Sequence, residues 1–189
     1  MSTNAGTELP VCPPGYAIRD RLPGDDAQLV TVENAACLLF ADHGYPELAE
    51  DGFPDVVSFR EMIGDGAVFV AAGANDAPVG YAVAIRLGDW SHLRELSVHP
   101  NHGRQGLGRA LVRAVIAAAQ NTGAAGVSLS TFRDIPFNRP FYETLGFREM
   151  PLADAPLALA EAFRREVPDG IDPAKRVLMI LPLLPPGKP

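Results

Sequence analysis

The residues in this sequence best suited to chemistry lie in one short segment. Gly103, Gly106 and Gly108 stand in the run His102-Gly103-Arg104-Gln105-Gly106-Leu107-Gly108-Arg109. Residues 106–121 then carry the apolar spacing of a helix, with Leu107, Leu111, Ala114 and Ala118 on one stripe. Glycines let a ligand approach the backbone. The first-turn amides of a helix lack intrahelical acceptors and sit at the positive end of its dipole. Together these features bind phosphate or pyrophosphate. Arg104, Arg109 and Arg113 add cations, the last two one turn apart. A tight turn with solvated arginines would use the same residues. A P-loop is excluded because no GxxxxGK(S/T) occurs. The order is G-x-x-G-x-G rather than G-x-G-x-x-G, and no acidic ribose ligand follows about 20 residues on, so a dinucleotide fingerprint is also excluded.

Proton-transfer candidates flank this segment. Tyr142 lies in NRPFYETLGF, residues 138–147. A phenol with a pKa near ~10 is protonated at neutral pH and can donate to a leaving group. Alternatively, Tyr142 belongs to an apolar face with Phe141 and Leu145. Glu95 and His92 precede the glycine segment on a predicted strand, and either could accept a proton. Three residues apart, they fall on opposite faces of a regular strand, whereas a bulge would change this. Bulk water or a residue elsewhere is a third possibility for the base. Arg133 and Arg139 flank the Tyr142 region and could reach phosphates or a neighbouring acid.

The elements that must position these residues follow from periodicity. A short strand is expected at residues 16–19 and a helix at 29–40. The acidic stretch 41–52 follows as loop or short helix, then a helix at 54–63. Strands at 67–72, 79–87 and 92–98 are joined by connections of a few residues and so form an antiparallel meander. The pattern then becomes strand, helix, strand. After the glycine segment come a strand at 127–131, a helix at 137–145, a strand at 147–150, a helix at 155–165 and an apolar strand at 177–184. Residues 1–14 are expected to be a mobile lead-in, 15–184 a single domain, and 185–189 a tail.

The chain has 189 residues, 47% of them hydrophobic, and a net charge of -7. This composition is globular, and its acidity weighs against nucleic acid as a partner. No apolar run approaches the ~18 residues of a membrane span, and no secretory signal is read at the N-terminus, so a cytoplasmic setting is expected. Two cysteines, Cys12 and Cys37, make neither a disulfide framework nor a zinc site. No metal is expected at His43, whose acidic neighbours Asp42, Glu47 and Asp51 read as solvated.

The run LRELSVHPNHGRQGLGRALVRAV, with its V-x-P turn, resembles the acetyl-CoA-binding segment of the GCN5-related N-acetyltransferases (GNAT superfamily). That family writes its pyrophosphate loop (Q/R)-x-x-G-x-(G/A). Here Gly106 and Gly108 fill the small positions, and Gly103 stands where Gln or Arg is usual. NRPFYETLGF resembles the family's downstream N-x-x-x-x-Y-x-x-x-G-F region.

The resemblance implies a mixed α/β fold, with a mostly antiparallel sheet of six or seven strands, helices on both faces, and a splay between the fourth and fifth strands. It implies acetyl-CoA as co-substrate and no metal. The backbone of Leu96, Ser97 and Val98 would pair with the pantetheine arm. The loop Arg104, Gln105, Gly106, Leu107, Gly108 and Arg109 would hold the pyrophosphate, and Asn138 would touch the cofactor. Tyr142 would be the general acid, with Glu95 or His92 as base. The implied reaction moves an acetyl group to a primary amine of a small molecule or protein by direct attack in a ternary complex. The carboxylates of the acidic stretch would favour a cationic acceptor. The alternative is a catalytically silent acyl-CoA-binding sensor or assembly protein. Either a monomer or a homodimer is expected.

Overall fold

A computed structural model describes residues 12–50 and 52–183. Seven strands form one sheet: β1 (Ala17–Asp20), β2 (Ala67–Ala72), β3 (Pro78–Leu87), β4 (Trp90–Val98), β5 (Gly126–Phe132), β6 (Arg148–Glu149) and β7 (Arg176–Pro182). Their order is β1-β2-β3-β4-β5-β7-β6. Every adjacent pair is antiparallel except β4 and β5, which run parallel. The crossover between those two is α3 (Leu107–Asn121), as a parallel connection requires. The expected mixed sheet with helices on both faces is therefore found.

Helix α3 lies on one face, where Leu107, Leu111, Val112 and Val115 pack against Ala82, Leu93, Val127 and Leu129. On the other face, α1 (Asp26–Cys37) and α2 (Val56–Ile63) bury Leu29, Val32, Phe59 and Ile63 against Val70, Tyr81 and Val83. Buried Asp26, at the start of α1, bonds Arg21 and Arg60, which ties that helix to the chain leaving β1 and to α2. The last helix, α5 (Leu157–Arg165), packs Leu159 and Phe163 on Leu178 and Ile180 of β7.

Several boundaries differ from the sequence expectation. The helix expected at 29–40 runs from Asp26 to Cys37 and tightens into a 3-10 segment, Leu38–His43, ended by Gly44 at φ 86°. The acidic stretch beyond it holds a second 3-10 segment, Pro46–Glu50. The helix expected at 137–145 shortens to α4 (Arg139–Glu143), because Pro140 suits only its first turn and Gly146, at φ 90°, lies beyond its end. Only two residues of the expected 147–150 strand pair, as β6. The closing strand is β7, and the end of its expected range and the tail lie outside the described residues. Cys12, expected in the mobile lead-in, packs against the α3 core, where burial pushes its thiol up.

One irregularity matters most. Ala84 pairs with Leu93 while Val83 pairs with Glu95, so Arg94 is an extra residue bulging out of β4. The bulge puts His92 and Glu95 on the same face of the sheet, the α1 side, where a regular strand would have opposed them.

The parallel pairing begins at Trp90 and Gly126, and there is no room for a side chain at Gly126. A Cβ would lie 2.4 Å from the Trp90 ring and 2.6 Å from the Leu181 carbonyl oxygen. Gly126→Ala is expected to cost about 1–3 kcal/mol, read as a lower urea midpoint at unchanged slope.

Candidate active site

Strands β4 and β5 pair only from Trp90/Gly126 to Leu93/Leu129. Beyond that rung, β4 continues along β3 and β5 along β7, so the two parallel strands part. A cleft of about 1080 Å³ occupies the parting and reaches the N-terminus of α3. Of the residues to which the resemblance assigns catalysis or cofactor contact, His92 and Gln105 do not line this cleft and the others do.

At the α3 end, Arg104 and Gly106 both take left-handed backbone, with φ of 57° and 86°. The first amide of the helix ladder to bond is that of Ala110, to the Gly106 carbonyl 3.0 Å away. Among the described residues, the amides of Leu107, Gly108 and Arg109 have no acceptor, and no side chain caps the helix. Unpaired first-turn amides of this kind are the arrangement that can receive an anion. Gln105 braces it from outside the cleft: its side-chain oxygen accepts from the Tyr16 hydroxyl at 3.0 Å, and that hydroxyl also meets His102 Nδ1 at 2.9 Å. Arg104 and Arg109 face the cleft, and Arg109 donates to Thr144 Oγ1 at 3.0 Å. Arg113, expected to join them, is exposed and does not line it. Arg133 and Arg139 are occupied elsewhere, at 2.9 Å from Glu149 and 2.8 Å from Glu143.

At the crotch of the parting, buried His92 pairs with Ser128 across the strands. Its Nδ1 lies 2.9 Å from Ser128 Oγ, and its Nε2 lies 3.0 Å from Oε1 of Glu166, the residue that follows α5. His92 therefore meets the cleft only through Glu166, which does line it. Burial opposes ionisation of Glu166, but its bonds to His92 outweigh this and hold its carboxyl below the usual range.

Glu95 faces the cleft directly, one Oε1 accepting from the Leu96 amide at 3.0 Å. Burial, reinforced by the nearby Glu33 carboxylate, pushes its carboxyl up to about 8. Glu33 is held by neutral donors, with the Tyr81 hydroxyl 2.5 Å from one oxygen and Cys37 Sγ 3.4 Å from the other. Tyr142 enters from the α3 side, packed on Phe141 and Phe147, and its hydroxyl makes no hydrogen bond to another described residue. Burial first, and then the Glu95 charge, raises its phenol above the ordinary value, so it remains protonated at neutral pH.

Sequence reasoning missed Glu33, Glu166 and Arg176, which also line the cleft. None carries a local signal, since they arrive from α1, the end of α5 and the start of β7. The acidic stretch borders the cleft through His43 and Leu48, but its carboxylates Asp42 and Glu47 are exposed and do not line it; Asp51 lies outside the described residues. Among the described residues no group of three or more His, Cys, Asp or Glu could hold a metal ion, and no helix is long and apolar enough to cross a membrane.

A sheet split between two parallel strands, with an unpaired helix N-terminus at the mouth of the split, is the acyltransferase architecture implied by the motifs. The chain belongs to the acetyltransferase (GNAT) family, whose sequence profile matches residues 34–147. It is 34% identical over 135 residues to a mycothiol acetyltransferase of Clavibacter sepedonicus, an alignment covering 65% of this chain but only 42% of that protein. Its fold is similar to that of the ribosomal-protein-S18-alanine N-acetyltransferase of Escherichia coli, with a TM-score of 0.66, 19% identity and coverage of 92% and 97% of the two chains. It is also similar to the PaiA N-acetyltransferase of Thermoplasma acidophilum in complex with coenzyme A, with a TM-score of 0.61, 15% identity and coverage of 89% and 99%.

The raised Glu95 carboxyl has a consequence for stability. The folded state favours its protonated form, so ionisation costs stability progressively as pH rises from the unfolded value near ~4.3 to about 8. Glu95→Gln removes that cost. Its stability relative to wild type is expected to be near zero at acid pH, to grow to about 1–3 kcal/mol by pH ~8, and then to level off. Denaturant unfolding across this pH range measures it.

Proposed function

We propose that this protein is an acetyl-CoA-dependent N-acetyltransferase acting on a primary amine of a small molecule or a protein. The observation that carries this reading is the meeting of Glu95 and Tyr142 at the parting of β4 and β5, below an unpaired helix N-terminus. Acetyl-CoA supplies a thioester whose carbonyl carbon accepts the amine and whose sulfur leaves. The free amides of Leu107, Gly108 and Arg109, with the Arg104 and Arg109 side chains, hold the pyrophosphate. The unpaired edge of β4 at Leu96, Ser97 and Val98 takes the amides of the pantetheine arm, and Asn138 lines the same passage. An amide of this edge near Val98 is the donor for the developing oxyanion.

Glu95 removes the proton of the attacking amine. A carboxyl poised near 8 is a stronger base than an ordinary one and is part-ionised at neutral pH. Tyr142 gives its proton to the departing sulfur. Burial raises both groups, but to different ends: Glu95 can exchange its proton near 8, while Tyr142 stays protonated and able to donate. His92, walled off behind Glu166, has a supporting part rather than that of the base. The acceptor's identity is not fixed by likeness, since similar proteins carry names as unlike as mycothiol acetyltransferase and ribosomal-protein-S18-alanine N-acetyltransferase.

Acetyl-CoA at about 100 times its Kd is expected to stabilise the protein by about 2.7 kcal/mol, read as a rise in Tm; no shift at millimolar ligand would count heavily against the reading. With an acceptor found by screening CoA release over amines and peptides, Tyr142→Phe is expected to lower kcat by about 10²–10⁴-fold while leaving acetyl-CoA affinity near wild type. The wild-type kcat/KM should rise with pH through an inflection near 8 that Glu95→Gln removes, with no fall below pH ~10 from Tyr142. The acceptor's own ionisation is common to both enzymes and cancels in the comparison. Coenzyme A binding with no transfer to any amine would favour a silent sensor instead.

A further inference from the structure

Arg176 begins β7 directly opposite Phe132 of β5, on the same sheet face as Leu178 and Ile180, and lines the cleft. It is largely buried, yet among the described residues its guanidinium makes no hydrogen bond and no ion pair. Nε is buried without a partner, and the nearest defined contact is the Phe132 ring, 4.6 Å from Cζ. Four part-buried arginines elsewhere in the fold behave differently. Arg19, Arg21, Arg133 and Arg139 each hold a carboxylate at close range. An unpaired buried guanidinium is costly, and an apolar residue would suit the run that follows Arg176, Val177–Ile180, better. Burial depresses its ionisation, as expected of a cation lacking a close counter-ion. The carboxylates that act on it through space are Glu166 and Glu95. The first is engaged by His92, and the second is substantially protonated at neutral pH.

We propose that Arg176 binds a carboxylate carried by the acceptor close to its reacting amine, so that the acceptor is a small amino-acid-like molecule. This rests on the N-acetyltransferase reading. It narrows that reading, because Glu95 and Arg176 line one cleft and act on each other through space, so an amine at the first and a carboxylate at the second suit one small molecule. A guanidinium matches a carboxylate in a two-point fork. A phosphate would fit the same fork, but its second negative charge would be set against the ionised Glu166, so a monoanion is favoured.

The test uses a matched panel of L-amino acids, their C-terminal amides, the corresponding decarboxylated amines, and aminoalkyl phosphates. Two readouts are taken: CoA release, and the Tm of protein loaded with CoA. Wild type is expected to prefer the free acids over the amides by about 10- to 100-fold in kcat/KM, the range for one charged hydrogen-bonded pair, and to be stabilised by the acids. Arg176→Gln should lose both effects, with the loss falling in the acceptor KM and not in the acetyl-CoA KM. Arg176→Lys should recover part of the preference. Arg176→Met should raise the Tm of the ligand-free protein, since it removes an uncompensated buried charge. Amides or amines used as well as the acids, or a preference that survives Arg176→Gln, would overturn the proposal. So would phosphates outranking carboxylates, or a lowered ligand-free Tm for Arg176→Met. If no compound is turned over, failure of every carboxylate to stabilise the CoA-loaded protein overturns it. Failure of acetyl-CoA itself to bind would instead sink the transferase reading.

Discussion

The parting of β4 and β5 is the constraint on which the rest of the structure depends. Parallel strands normally satisfy each other's backbone groups along their whole length, and an unpaired edge inside a protein is expensive. Here the pairing stops at Leu93 and Leu129 although both strands continue. Two features hold that geometry. The Arg94 bulge bends β4 and increases its local twist. Below the parting, the His92–Ser128 bond fastens the last rungs from the side. Each strand keeps one neighbour, β3 or β7, so only the inner edges are left open. Those edges face the cleft, where an amide-bearing ligand can complete them.

The two faces of the sheet divide the work. The α3 side is apolar up to the helix mouth, which keeps the helix rigidly seated while its first amides point into the cleft. The α1 side is polar near the parting, with the hydrogen-bonded pair Glu33–Tyr81 and the separate chain Ser128–His92–Glu166. Buried carboxylates are tolerated there because each is met by a specific partner: Glu33 by hydroxyl and thiol, Glu166 by imidazole. Glu95 has one backbone amide, which does not offset its burial and the nearby Glu33 charge, so its proton affinity rises. Three residues of one type thus sit in one cavity with three different sets of partners.

The glycine loop, the α3 stripe, the meander and the Asn138–Tyr142 segment were legible in the sequence because each is a local pattern. Tyr142 and the loop lie close along the chain to the elements that place them. The boundaries of α4 and β6 were less legible, since Pro140 and Gly146 confine a helix that apolar spacing alone would extend. The relation of His92 to Glu95 could not be read, because a bulge inverts facing without changing composition. Glu33, Glu166 and Arg176 were invisible for a different reason. They are ordinary charged residues on elements remote in sequence, and only the packing of α1, α5 and β7 around the parting brings them together.

Net charge is a poor guide to what such a site attracts. The chain carries -7, yet the helix mouth is suited to an anion, because the relevant field is set by oriented amides and by which arginines remain free of carboxylates. Arg133 and Arg139 are removed from consideration by Glu149 and Glu143, while Arg104 and Arg109 face the cleft. The same sorting applies to the acids. The exposed Asp42 and Glu47 have little influence on the cavity, where water and salt screen them, whereas Glu95 and Glu166 act at short range in a confined space. A sequence therefore states how many charges a protein has, and the fold decides which of them a ligand meets.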